Sequence, residues 1–301
     1  MSSFKGIIPA VVTPMNEDGS LNLSKVESVV KHLVDDGVDG FYVCGSNGEG
    51  PNLTVKERKQ VAKAFVKEAP PHIDVIIHVG HNSLRAAGDL ASHAESIGAD
   101  AIAAVPPSYY GELSEEIIAD SLSKVATATP GLPFFYYHVP ALNGMNINVP
   151  KLMKLMGKRI AGFEGVKFSS TKISEFIKCK SLGNDDYTVL FGVDEMLLSA
   201  LAAGAEGFVG STYNFATPLY KKIIENFEKR NLELAQKNQL KAIKMVQVLQ
   251  KYKGYPAFKE IMRLLGVNCG PTRLPIKPLN ENKRENLESE LRELGYFQWG
   301  R

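Results

Sequence analysis

Short runs of bulky, β-branched residues alternate along the chain with longer segments whose apolar positions recur every three to four residues. The first pattern suits buried strands and the second amphipathic helices. It predicts strands at 7–13, 38–44, 74–79, 100–105, 133–138, within 162–170, at 187–193 and at 206–210. Helices are predicted over 24–36, 54–67, 83–97, 114–127, 149–156, 173–181, 195–203 and 218–229. Ser24 with Glu27, and Thr54 with Glu57, have the spacing of a capping box. After residue 229 the strand pattern stops. Helices are predicted over 232–252, 256–265 and 282–294, broken by Gly254, Gly266 and the turn-rich stretch 269–278.

Eight strand–helix units predict parallel strands joined by crossover helices, at the usual ~250-residue size of a (β/α)8 TIM barrel. Residues 1–229 are expected to form the barrel. Residues 230–301 are expected to be a C-terminal helical extension packed on it within a single domain, because no flexible linker precedes them. A doubly wound open sheet is the structural alternative, but no G-x-G-x-x-G follows the first strand.

Composition narrows the partners. With 301 residues, 44% hydrophobic and 23% charged, the chain can bury a large core without staples. A net charge of +2, with both signs interspersed, argues against nucleic acid and membrane surfaces. The cysteines Cys44, Cys179 and Cys269 lie far apart, which suits reduced thiols in the cytoplasm and offers no metal-ligand spacing. Residues 1–6 lack the pattern of a signal peptide, and no apolar run approaches the ~18 residues of a membrane span. The histidines at 32, 72, 78, 81, 93 and 138 form no convincing metal set; His78 and His81 straddle a strand end at Gly80.

One strand carries a lysine among apolar neighbours, in Gly165-Val166-Lys167-Phe168. Burial disfavours the ammonium, which either snorkels to water, pairs with a carboxylate such as Glu164, or loses its proton and becomes a nucleophile. At an ordinary pKa near ~10.4 only about one amine in 2,500 is free at neutral pH; a value of roughly 7–8 raises that by two to three orders of magnitude.

Barrel sites form at the C-terminal ends of strands. The second strand runs into Gly45-Ser46-Asn47-Gly48-Glu49-Gly50, a turn whose amides and Ser46 hydroxyl suit a small carboxylate. The fourth ends in Pro106-Pro107-Ser108-Tyr109-Tyr110 and the fifth in Tyr136-Tyr137-His138. Alternation points Tyr137 and Phe135 to one side, next to the strand of Lys167, where a phenol could carry protons. The seventh runs into Gly192-Val193-Asp194-Glu195, where two carboxylates either favour a helix dipole or accept from hydroxyls.

The set Gly45-Ser46-Asn47-Gly48-Glu49, Tyr137-His138-Val139-Pro140-Ala141-Leu142-Asn143-Gly144, Gly165-Val166-Lys167 and Gly210-Ser211-Thr212-Tyr213-Asn214 resembles the N-acetylneuraminate lyase branch of the pyruvate-dependent class I aldolases. That family also holds dihydrodipicolinate synthase. The resemblance implies a Schiff base between Lys167 and pyruvate or the C2 ketone of sialic acid, with Tyr137 as acid/base. It implies Ser46 and Asn47 at the pyruvate carboxylate, and Tyr109 reaching a neighbouring subunit's site. It assigns Ser169, Gly192, Asp194, Glu195 and Ser211 to the sugar's amide and hydroxyls. It further implies a homotetramer with neither metal nor external cofactor, reversibly cleaving sialic acid to pyruvate and N-acetylmannosamine.

Two positions depart from the pattern: Asn47 replaces a family threonine but still offers an amide donor, and His138 stands where asparagine is common. Leu142 occupies the place of the arginine that holds an acidic acceptor in dihydrodipicolinate synthase, which favours a polyol partner. Dihydrodipicolinate synthase, another 2-keto-3-deoxy sugar acid aldolase and a non-catalytic binding barrel remain the alternatives.

Overall fold

The computed structural model describes residues 4–111, 113–182 and 187–299. In chain order it contains β1 (Gly6–Pro9), α1 (Val26–Asp35), β2 (Gly40–Val43), α2 (Val55–Glu68), β3 (Asp74–His78) and α3 (Leu84–Ser96). Then come β4 (Ala101–Ala104), α4 (Glu115–Ala126), β5 (Phe134–His138), α5 (Pro140–Asn143), α6 (Val149–Arg159) and β6 (Phe163–Phe168). They are followed by α7 (Ile173–Lys180), β7 (Thr188–Phe191), α8 (Leu197–Ala202), β8 (Gly207–Gly210) and α9 (Tyr213–Glu228). The chain closes with α10 (Leu232–Lys251), α11 (Tyr255–Leu264), α12 (Glu281–Glu293) and α13 (Tyr296–Trp299).

The strands form one parallel sheet in the order β1-β8-β7-β6-β5-β4-β3-β2. A parallel bridge between Ala10 and Tyr42, with Val11 N–H donating to the Tyr42 carbonyl at 3.0 Å, brings the two edges together. The fold is therefore the TIM barrel and not the open sheet. Alternate residues face two cores. One lies between sheet and helices and holds Phe41, Phe134, Val166 and Phe168. The other fills the barrel with Ile8, Tyr42, Ile76, Phe135, Tyr137 and Leu190. Among the described residues no helix is long and apolar enough to cross a membrane.

Local differences from expectation have local causes. The Thr54–Glu57 capping box forms, with bonds of 3.2 and 2.8 Å. The Ser24 box does not: Ser24 Oγ donates to Asn22 at 2.7 Å, and α1 starts at Val26 without a side-chain cap. α5 and α13 were not foreseen, and α6 runs on to Arg159. α9 starts before Pro218, which lacks an N–H, and the helix kinks at Ala216 (φ −138°).

The C-terminal segment is tied to the loop after β2 by charge. Lys259 Nζ on α11 lies 2.7 Å from Glu49 Oε1, both being almost fully buried. Arg273 N–H donates to Glu49 Oε2 at 2.8 Å, and its guanidinium grips Glu57 at 3.0 and 2.7 Å. Removing one partner of a buried pair strands the other charge. Lys259→Met is therefore expected to lower unfolding free energy by about 3–5 kcal/mol in urea titration, and Glu49→Gln/Lys259→Met to recover most of that. Equal losses in the single and double variants would contradict this account.

Candidate active site

The placement of Lys167 depends on an irregularity in β6. Phe163 pairs with Phe134 and faces the outer core. Simple alternation from Phe163 turns Lys167 outward as well. However, Phe135 pairs with Gly165, so Glu164 is an extra residue in β6, and the bulge reverses the parity. Val166 and Phe168 then face the helices while Lys167 faces the barrel. Gly165 permits this: a Cβ there would lie 1.8 Å from the Thr188 carbonyl oxygen. Glu164 is not the partner of Lys167, since it accepts from Thr188 Oγ1 at 2.9 Å.

Lys167 is 4% exposed, and its Nζ lies 3.9 Å from the ring centroid of Tyr42 and 4.0 Å from that of Tyr137. No carboxylate pairs with it among the described residues. Burial lowers its pKa to about 7, with Asp194 acting in the opposite direction. A large share of the amine is therefore neutral near physiological pH. Tyr137, its register partner on β5, is held above the ordinary phenol value by burial, against hydrogen bonding from Ser46 and Ser169.

Lys167, Tyr137, Ser46, Asn47, Ser169, Gly192 and Ser211 line one cavity of about 240 Å³ at the C-terminal end of the barrel. Asp194 and Glu195 line a neighbouring cavity of about 260 Å³ with Thr212, Gln250 and Phe258; the two cavities share Gly192 and Ser211. Burial raises the carboxyl pKa of both Asp194 and Glu195. Tyr109 lines neither cavity. It is 79% exposed and packs edge-on against Tyr110, with ring centroids 5.3 Å apart.

Asn47 is anchored to the barrel wall. Its Nδ2 donates to the Ala10 carbonyl, which also accepts from Asn214 Nδ2 at 2.8 Å, and its Oδ1 is buried without a partner among the described residues. An amide nitrogen carries two protons, so one N–H is spent on that wall and one is left. The Ser46 and Asn47 backbone N–H groups meet no chain acceptor among the described residues, and with the Ser46 hydroxyl they are open to an incoming carboxylate. His138 faces the outer core, tilted on Phe168 at 5.2 Å, and burial lowers its pKa to about 4.

Several neighbours were not singled out from sequence. Tyr42 supplies the second ring beneath Lys167. His78 packs edge-on against Tyr137 at 5.7 Å and is kept neutral by burial and by the charges of Arg58 and Lys167. Arg58 itself is buried and donates to the Gly80 carbonyl at 2.8 Å. Tyr255, at the start of α11, lines the Lys167 cavity, so the C-terminal extension contributes to the site as well as packing on it. Alternation with Phe41 and Val43, which face the helices, is the signal that marks Tyr42 as barrel-facing, whereas no local signal marks Tyr255. His81 turns away, accepting from Ser83 N–H at 2.9 Å. Among the described residues no group of three or more His, Cys, Asp or Glu could hold a metal.

Known proteins share this arrangement of elements. The model of the dihydrodipicolinate synthetase family matches residues 3–294. N-acetylneuraminate lyase of Homo sapiens is 39% identical over 298 residues, covering 97% of this chain and 93% of that protein. Among solved structures, Proteus mirabilis N-acetylneuraminate lyase superposes with a TM-score of 0.95 at 34% identity, covering 98% of this chain and 100% of that one. A catalytic lysine mutant of Ruminococcus gnavus sialic acid aldolase gives a TM-score of 0.93 at 30% identity, with 98% and 97% covered.

Proposed function

Because this chain belongs to the dihydrodipicolinate synthetase family, we propose that it is an N-acetylneuraminate lyase, a class I aldolase that reversibly cleaves sialic acid to pyruvate and N-acetylmannosamine. The observation that carries the reading is a buried lysine, unpaired with any carboxylate among the described residues and with its pKa lowered by burial to about 7, at the wall of a polar cavity beside a phenol.

The neutral Lys167 amine adds to the C2 ketone of the open-chain sugar. A proton from Tyr137, for which solvent can substitute, lets the adduct lose water and leaves a protonated imine beside a phenolate. The Tyr137 phenolate takes the proton of the C4 hydroxyl as the C3–C4 bond breaks. The bond's electron pair moves to C3 and is stabilised as an enamine by the cationic nitrogen, which a neutral ketone could not do as well. N-acetylmannosamine leaves as the aldehyde, Tyr137 returns its proton to C3, and water releases pyruvate from Lys167. One lysine and one proton carrier suffice for this sequence, with no metal or external cofactor. Ser46 and the Asn47 amide hold the carboxylate. Ser169, Gly192, Asp194, Glu195 and Ser211 read the sugar chain across the two cavities. Tyr109, exposed in one chain, completes the site of a neighbouring subunit in a cytoplasmic homotetramer.

Leu142 supports the polyol acceptor. It lines the Lys167 cavity, whose only cationic lining residue among those described is Lys167 itself, so a second carboxylate has no partner there. Two measurements test the reading. Borohydride in the presence of pyruvate is expected to add one reduced pyruvyl group to Lys167, and no mass gain would reject it. With pyruvate as donor, N-acetylmannosamine is expected to exceed aspartate semialdehyde in kcat/KM by about a hundredfold or more, since a buried unpaired carboxylate costs several kcal/mol. Comparable turnover of the two would point to the synthase chemistry instead.

A further inference from the structure

Behind the cavity lined by Asp194 lies a chain of buried side chains that the mechanism above leaves unused. Tyr220 on α9 is fully buried, and its hydroxyl lies 2.6 Å from Thr212 Oγ1. Thr212 Oγ1 lies 2.6 Å from Asp194 Oδ2, and the Thr212 N–H donates to the same oxygen at 2.8 Å. A threonine hydroxyl carries one proton, and an ionised carboxylate can only accept. The Thr212 proton therefore goes to Asp194, and Thr212 accepts from Tyr220. The chain has one direction, from the Tyr220 phenol through Thr212 to Asp194, and its one hydroxyl donor reaches the carboxylate oxygen that the Thr212 backbone N–H also binds.

The other oxygen packs against β8. A Cβ at Gly210 would lie 1.8 Å from Asp194 Oδ1, so this oxygen occupies the gap that the glycine leaves. Gly210 lines the Lys167 cavity and Asp194 lines the neighbouring one, which sets the carboxylate at their junction.

Resting on the lyase reading, we propose that Tyr220 is a positioning residue that acts through Thr212 to hold Asp194 ionised, where the carboxylate accepts from a sugar hydroxyl and faces the cation formed on Lys167. Imine formation creates a positive charge in a buried site, and a carboxylate already fixed nearby stabilises it without reorganisation. The Ser211 backbone also donates to Asp194, and both backbone donors stay in place when the Thr212 or Tyr220 hydroxyl is removed, so those variants read the hydroxyl relay alone. Lys167 on β6 favours its charge, while Glu195 in the same turn opposes it. Tyr137 on β5 and Tyr213 on α9 are neutral phenols that feel the charge of Asp194. From α10, Gln239 Nε2 reaches only the Asp194 backbone carbonyl, at 3.5 Å.

The test uses Tyr220→Phe, which keeps the edge-on ring packing on Tyr213 at 4.7 Å. Pyruvate trapping by borohydride at saturating pyruvate is expected to persist. The kcat for sialic acid cleavage is expected to fall about tenfold, and the acid limb of kcat, read once Lys167 is an imine and no longer titrates, to move to higher pH, because a carboxylate that loses hydrogen-bond support is protonated more easily. Thr212→Val is expected to exceed that loss and Thr212→Ser to restore most of it. A purely structural role would lower stability without moving the acid limb. An unmoved limb in both Tyr220→Phe and Thr212→Val, or a serine variant no better than valine, overturns the proposal. If Tyr220→Phe folds poorly, the serine–valine comparison decides alone. Absence of pyruvate trapping in the unaltered protein would instead overturn the lyase reading itself.

Discussion

Lys167→Met is expected to abolish both the borohydride-trapped pyruvate adduct and sialic acid cleavage, with kcat/KM falling by roughly four orders of magnitude or more. No other lysine lines the cavity among the described residues, so no amine can take its place. The same substitution is expected to stabilise the fold. The folded pKa of about 7 lies below the ordinary 10.5, so between those values the unfolded chain holds a proton that the folded chain has released. Stability therefore rises with pH through that window, and the full cost of burying the amine is present below pH 7. Near neutrality that cost is on the order of 4 kcal/mol, which a methionine of similar length removes. Urea titrations of the two proteins should differ most near neutral pH and converge toward pH 10. Residual adduct in the variant would remove Lys167 from its role, and parallel stability curves would show that the amine is not held neutral.

Tyr137→Phe is expected to slow cleavage by about two to four orders of magnitude while the pyruvate imine still forms. The phenyl ring keeps its edge-on contacts with Tyr42 and His78, each at 5.7 Å, so the change isolates the hydroxyl. Imine formation needs the amine and a carboxylate grip; bond cleavage also needs a group to take the C4 proton. Tyr42→Phe is the control. Its ring lies against the same amine, but its hydroxyl is buried without a partner among the described residues and it does not line the cavity. That variant is expected to change kcat by less than about threefold, since an unbonded phenol can be removed with little loss. If the two substitutions had equal effects, the proton carrier would have been misassigned.

Much of this site could be read before the fold was known. The barrel follows from eight repeats of one unit, each short apolar run being followed by an amphipathic segment. Strand ends rich in glycine, tyrosine and serine then mark one rim of it. The glycine-rich loop, Tyr137 and Lys167 converge as that rule expects. The reading that failed was a local one with a competitor nearby. Asn22 captured the Ser24 hydroxyl, so the predicted cap of α1 is not made. Tyr255 was invisible because α11 reaches the cavity only once the Glu49–Lys259 pair and the packing on α9 have placed it.

By itself the sequence determined which groups are present: a lysine among apolar residues and a phenol on the neighbouring strand, with the family resemblance adding their chemistry and the leucine that stands where an acidic acceptor would need an arginine. Which way the lysine faces was decided only in three dimensions. Counting alternate positions from Phe163 turns Lys167 toward the helices; the extra residue at Glu164, tolerated because Gly165 has no Cβ to strike the Thr188 carbonyl, turns it into the barrel. Pairing register depends on the partner strands rather than on the strand's own residues, so it cannot be read from the spacing of one segment.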